Sequence, residues 1–171
     1  IAETDPQRAG LLPLPPQALT PEAAATASLL TDLVAQAKRT LADEAKANMI
    51  LMRGYARYRR FPSLAERFGL QALAIAAYPM YRGIARLLGM TVHPGAGTID
   101  EEFSALEEHF GGYDFFFLHV KPTDSRGEDG DFAAKVKVIE EVDSLLPRIT
   151  ALRPDVLVVT GDHATPAVLA S

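Results

Sequence analysis

Cysteine is absent from the 171 residues, which excludes disulfides and thiolate-bound metals from any account of stability or chemistry. A basic surplus is lacking too: 17 Lys and Arg against 22 Asp and Glu give a formal charge of −5. Broad nucleic-acid binding needs a basic surface, so it is excluded as the main role, while a local anion site stays open. No run approaches the roughly 20 apolar residues that cross a bilayer. Residues 1–10 carry Glu3, Asp5 and Arg8 where a signal peptide would have an apolar core. No membrane or nucleic-acid partner is therefore expected, and a reducing cytoplasm is compatible with the missing cysteine. An initiating methionine is also absent; the sequence opens on Ile1, closes on Ser171 after an apolar run, and reads as an excerpt of a longer chain. What is present is ordinary for a globular protein. With 48% hydrophobic and 23% charged residues, the chain is long enough for one domain or one and a half.

Proline crowds residues 4–22, at Pro6, Pro13, Pro15, Pro16 and Pro21, which fixes φ, removes donors and predicts an extended linker. Thr20-Pro21-Glu22 then reads as a helix start, with threonine as N-cap and proline at the first helical position. Leu30, Val34, Ala37, Leu41 and Ala45 continue it at helical spacing to about Asn48. Residues 49–52 are apolar and suit a short buried strand. Residues 70–77 suit another, with helix as the alternative because of their alanines. Pro79 opens a helix that Gly89 ends, and residues 100–110 form the next, before Gly111-Gly112. Residues 113–120 carry a strong strand signal, with Phe115, Phe116 and Phe117 read as core. Residues 131–146 have a helical period that Pro147 should end or kink, and residues 156–160 are a β-branched strand. Apolar strands alternating with helices predict an α/β fold with a largely parallel, buried sheet.

In such sheets ligands gather beyond the carboxyl ends of strands. Two loops fall there, residues 121–131 and residues 161–166, and both carry oxygen and imidazole donors suited to Mn²⁺, Zn²⁺ or Mg²⁺. The residues alone leave a plainer reading beside this one: the first loop as a solvated turn, with Asp131 capping a helix and Asp129 facing its dipole. His119 is expected to be packed, His93 and His109 to lie on the surface, and Lys121 to be solvated.

Four segments, in this order, resemble one family. They are Ala-Asn-Met-Ile-Leu-Met-Arg-Gly at 47–54, Tyr-Arg-Gly-Ile-Ala at 81–85, His-Val-Lys-Pro-Thr-Asp-Ser-Arg-Gly-Glu-Asp-Gly-Asp at 119–131, and Gly-Asp-His-Ala-Thr-Pro at 161–166. Together they resemble the archaeal-type cofactor-independent phosphoglycerate mutases, whose fold is similar to alkaline phosphatase. The resemblance runs from about 31 to 171. It implies two divalent metal ions, one bound by Asp124 and by Glu128, where the family commonly has histidine, the other by Asp162 and His163. It implies that Arg53, Arg57 and Arg82 hold the oxyanions of phosphoglycerate, Arg82 standing where the family has lysine. The nucleophilic serine would lie outside these residues. Residues 1–66 would then end an inserted, substrate-binding α/β domain, and residues 67–171 would be part of the metal-binding, alkaline-phosphatase-like domain. Two other readings share the motifs: a phosphatase or phosphodiesterase of the same superfamily, or a relative that has lost catalysis.

Overall fold

The computed structural model describes residues 1–8 and 10–169, so the last two residues of the resemblance lie outside it. The chain divides into two compact units, Ile1–Arg59 and Arg60–Ser171. The break precedes residue 66 because residues 64–68 belong with the second unit: the Leu64 amide donates to the Leu88 carbonyl at 3.0 Å.

The first unit holds one long helix, α1 (Ala24–Thr40), preceded by a 3-10 turn at Pro21–Ala23. Pro21 does open it, but the Thr20 side chain makes no cap bond. The helix stops at Thr40 rather than near Asn48, and Ala47 takes a positive φ of 53°. No strand forms at residues 49–52. Met52 instead pairs with the buried Thr4: the Met52 amide donates to Thr4 Oγ1 at 2.7 Å, and the Thr4 amide donates to the Met52 carbonyl at 3.0 Å. A single residue pair of this kind satisfies backbone groups without founding a sheet.

The second unit is built on a parallel sheet in which β1 (Ala72–Ala76) lies between β2 (Thr91–Val92) and β3 (Phe115–His119). Its elements are α2 (Leu64–Phe68), β1 (Ala72–Ala76), α3 (Pro79–Leu87), β2 (Thr91–Val92), α4 (Ile99–His109), β3 (Phe115–His119), α5 (Pro122–Glu128) and α6 (Phe132–Ala151). β1 is central and wholly buried, and its side chains alternate between two cores. Leu73 and Ile75 meet Ile99, Phe103 and Leu106 of α4 and Ile149 of α6. Ala72 and Ala74 face the other way, towards Ala85 of α3 and Met90. Alanine on that face lets α3 lie close to the sheet. Ser63–Glu66 and Thr98–Glu101 form capping boxes that start α2 and α4. Gly89 has φ 72°, and a Cβ there would collide with Ser63, so only glycine serves after α3.

The elements of this unit also depart from expectation. Residues 121–131 are mostly helix, not loop: Pro122 at the first helical position and Asp124 in the first turn are start signals for α5. Pro147 does not end α6 but lies inside it, and Arg148, the next residue, binds Asp100 (2.6 Å), Ser104 (2.9 Å) and Glu107 of α4. Phe115 is 41% exposed, since among the described residues β3 pairs with β1 alone and stands at the sheet edge. Residues 156–160 form no strand, and Val156, Val158 and Val159 are exposed. Among the described residues, no helix is long and apolar enough to cross a membrane.

Candidate metal centre

β3 ends at His119, and α5 begins within three residues, so Asp124 is delivered to the carboxyl end of the sheet. Residues 161–166 come to the same place by docking on α5. Gly127 makes that approach possible: it is buried, and a Cβ on it would overlap the Thr165 carbonyl oxygen. Lys135 of α6 donates to that oxygen at 2.6 Å, and the Thr165 hydroxyl donates to Asp124 Oδ1. Close packing of backbone on backbone thus places the second motif against the first.

His163 Nε2 lies 3.9 Å from Asp124 Oδ1 and 3.7 Å from Asp162 Oδ2. Asp124, Asp162 and His163 are therefore brought together. Glu128 stands beside them: it is 62% exposed and meets the group only through Lys121, whose Nζ is 3.9 Å from Glu128 Oε2. Lys121 is not solvated as expected. It donates to Asp124 and lies over the Tyr78 ring at 4.9 Å, a cation–π position. Tyr81 donates its phenol proton to Asp162, and its ring rests on His119 at 3.9 Å. His119 is packed there, its Nδ1 buried without a hydrogen-bond partner among the described residues. His93 and His109 are half-buried rather than superficial, meeting edge to face at 5.6 Å.

The electrostatics follow these contacts. The Lys121 hydrogen bond, then that from Thr165, holds the Asp124 carboxyl below its ordinary range. The Tyr81 hydrogen bond does the same for Asp162, and the Tyr81 phenol is pushed up in return. Burial pushes the His119 imidazole down, favouring its neutral form. Two ionised carboxylates and an imidazole suit a borderline or hard divalent cation. Among the described residues no three such side chains form a ready cage, because Lys121, Thr165 and Tyr81 occupy the carboxylate oxygens. The donor set fits a metal in its chemistry, and binding one would exchange those hydrogen bonds for coordination.

The arginines are placed differently. Arg82 donates to the Pro94 carbonyl at 2.9 Å and so ties α3 to the segment after β2. In the first unit, Arg53 lies 3.6 Å from both Glu3 and Asp5, and Arg57 is exposed. Sequence reasoning had missed Tyr81 and Thr165 as partners of the carboxylates. Their only signal was position, inside two of the four motifs.

Residues 23–171 match the profile of the metalloenzyme superfamily. The chain is 45% identical over 170 residues to a probable 2,3-bisphosphoglycerate-independent phosphoglycerate mutase of Aquifex aeolicus, covering 99% of this chain and 42% of that protein. It thus spans less than half the length of this curated relative. The PH0037 protein of Pyrococcus horikoshii has a similar structure, with TM-score 0.72 and 25% identity over 88% of this chain and 45% of that one. The cofactor-independent phosphoglycerate mutase of Thermoplasma acidophilum shares the fold, with TM-score 0.54 and 22% identity over 87% of this chain and 42% of that one.

Proposed function

The chain belongs to the metalloenzyme superfamily, and from that premise we propose that the protein containing it interconverts 3-phosphoglycerate and 2-phosphoglycerate. The observation that carries this reading is the meeting of Asp124, Asp162 and His163, from two separate motifs, at one end of a parallel sheet. The 45% identity to a relative named as a phosphoglycerate mutase supports the choice of substrate.

Asp124, Asp162 and His163, with Glu128 drawn in, would hold two divalent ions, Mn²⁺, Zn²⁺ or Mg²⁺. Bound there, a divalent ion lowers the pKa of an attacking hydroxyl and offsets charge on a transferring phosphoryl group. The chain's own residues do the rest. Tyr81 orients the Asp162 carboxylate, and Thr165 orients Asp124. Lys121 adds a positive charge beside them that suits a phosphoryl oxygen. Arg53, Arg57 and Arg82 would grip the carboxylate and phosphate, guanidinium forks matching such oxyanions bidentately. A firm grip lets glycerate reorient between transfers without escaping. The nucleophilic serine, which takes the phosphoryl group from one hydroxyl and returns it to the other, would come from outside these 171 residues. The cytoplasm, where glycolysis and gluconeogenesis run, is the proposed setting.

The whole protein should convert 3-phosphoglycerate to 2-phosphoglycerate without added bisphosphoglycerate. A chelator should abolish the activity, and Mn²⁺ should restore it. Rapid hydrolysis of a generic phosphate ester with no mutase turnover would replace this reading with a phosphatase. No turnover of either substrate, with no stoichiometric metal bound, would mark a non-catalytic relative.

A further inference from the structure

α5 has a second side. Pro122 and Arg126 are each two residues from Asp124, about 200° around the helix, and they line a cavity of about 290 Å³. The start of α4 and the middle of α6 close it. Its wall is mainly apolar, with Ile99, Pro122 and Val138. Within it sits Glu102, 3% exposed, whose carboxyl takes a hydrogen bond from the Ala77 backbone while its Oε2 is buried with no hydrogen-bond partner among the described residues. A buried carboxyl oxygen without a donor is costly, and more so when it is charged. Such a group asks for a donor.

The surroundings decide what kind. The start of a helix ordinarily attracts anions, but this one is already capped from its own chain: Glu101 Oε2 accepts from the Gly97 and Thr98 amides just before the helix, and Thr98 Oγ1 accepts from the Glu101 amide. The charged groups nearby leave a negative balance. On α4, Asp100 is paired with Arg148; on α5, Arg126 is paired with Asp129 at 3.1 Å; on α6, Glu141 lines the cavity and is exposed. A bare metal ion is a poor match, since hard cations want six or more oxygens and this wall is largely carbon. The volume is at the small end for ligand pockets, roughly 300–1,000 Å³, and far larger than one water, about 30 Å³.

We propose that this cavity binds a compact organic cation with a primary ammonium group, which donates to Glu102 Oε2 while its alkyl part packs on Ile99, Pro122 and Val138. Glu141 faces the ammonium from the mouth. Burial pushes the Glu102 carboxyl up to about 7, so a bound cation draws a proton off it near neutrality.

The test is calorimetric titration of the whole protein with n-butylammonium at pH 7, in two buffers of different ionisation enthalpy. Saturable binding with proton release is expected, with at least tenfold weakening in Glu102→Gln and a smaller loss in Glu141→Gln. Tetramethylammonium, which has no N–H donor, and potassium should bind far more weakly. Absent saturation, undiminished binding by Glu102→Gln, or equal binding of tetramethylammonium or potassium would overturn the proposal. Should Glu102→Gln fail to fold, the ¹³C carboxyl titration of Glu102 in the unmutated protein decides. Its midpoint must fall when butylammonium is added, and an unchanged midpoint overturns the site.

Discussion

Glu102 and Asp124 are carboxylates with opposite histories on folding, and their pH signatures differ accordingly. An unfolded glutamate titrates near 4.5, while burial holds the folded Glu102 near 7. Between those values the folded chain keeps a proton that the unfolded chain has lost, so stability falls as pH rises through the window. At ~1.4 kcal/mol per pKa unit the loss reaches about 3 kcal/mol by pH 8. Glu102→Gln should flatten this slope and be the more stable protein at pH 8, as urea titrations at several pH values would read. Asp124 and Asp162 are depressed instead; their contribution is present above the ordinary aspartate range and is lost as pH falls through their folded values. The two effects therefore separate on the pH axis. Arg53 supplies a contrast between stability and function. Its ion pairs with Glu3 and Asp5 are long, 3.6 Å each, and its own side chain is more than half exposed; such pairs contribute about 0–1 kcal/mol. A bond to a substrate oxyanion contributes roughly 1.5–3 kcal/mol. Arg53→Ala in the whole protein should thus leave the melting temperature nearly unchanged and lower kcat/KM for phosphoglycerate about 10- to 100-fold. Unaltered kinetics would make Arg53 merely structural.

At the scale of elements, the contact between α5 and residues 161–166 sets the geometry of the candidate centre. Gly127→Ala inserts a methyl group into the space of the Thr165 carbonyl, and overpacking of this kind costs about 1–3 kcal/mol. The expected result is a lower melting temperature together with weaker Mn²⁺ binding, measured by titration of the metal itself. Gly83, inside α3, is the matched control, because a Cβ there meets nothing within 4 Å. Gly83→Ala should stabilise by up to about 1 kcal/mol through helix propensity and leave Mn²⁺ affinity alone. Equal effects from both substitutions would show that the α5 contact does not govern the site. Helices were legible where start signals and periodicity agreed, as at Pro79 and in the 131–146 period. α5 was not, because glycine and aspartate suggest a turn until Pro122 is read as a first helical position.

Over the whole molecule, the division at Arg59 and Arg60 makes a mechanical prediction. Residues 53–62 have no regular structure, and Arg57, Arg59 and Arg60 are all exposed, which is where proteases nick first. Limited trypsin digestion should cut among these three arginines before it cuts α4, α6 or the sheet, with mass spectrometry identifying the sites. Early cleavage within residues 70–120 would contradict the division. The exposed apolar residues 156–159 and the side of β3 that is unpaired among the described residues belong to the same scale. The chain spans 42% of the Aquifex relative, and the proposed whole protein has further chain with which to pair them. In that protein the amides of 156–160 should be protected from hydrogen exchange, and in the isolated chain they should exchange freely.

The sequence by itself determined the α/β class, β3, most helix starts, and the motifs that carry Asp124, Asp162 and His163, and it left residues 70–77 open between strand and helix. These are local matters: side-chain periodicity, proline's fixed φ, and donor chemistry written in neighbouring residues. Tertiary structure alone decided the rest. Whether residues 49–52 and 156–160 become strands depends on a partner for their backbone groups, which no local pattern encodes. That Lys121 lies over the Tyr78 ring, that Thr165 reaches Asp124, and that Glu102 Oε2 is buried without a donor among the described residues each depend on residues brought together from different elements. Such contacts arise only when the core around Leu73, Ile75 and Phe103 packs and carries the ends of the elements with it.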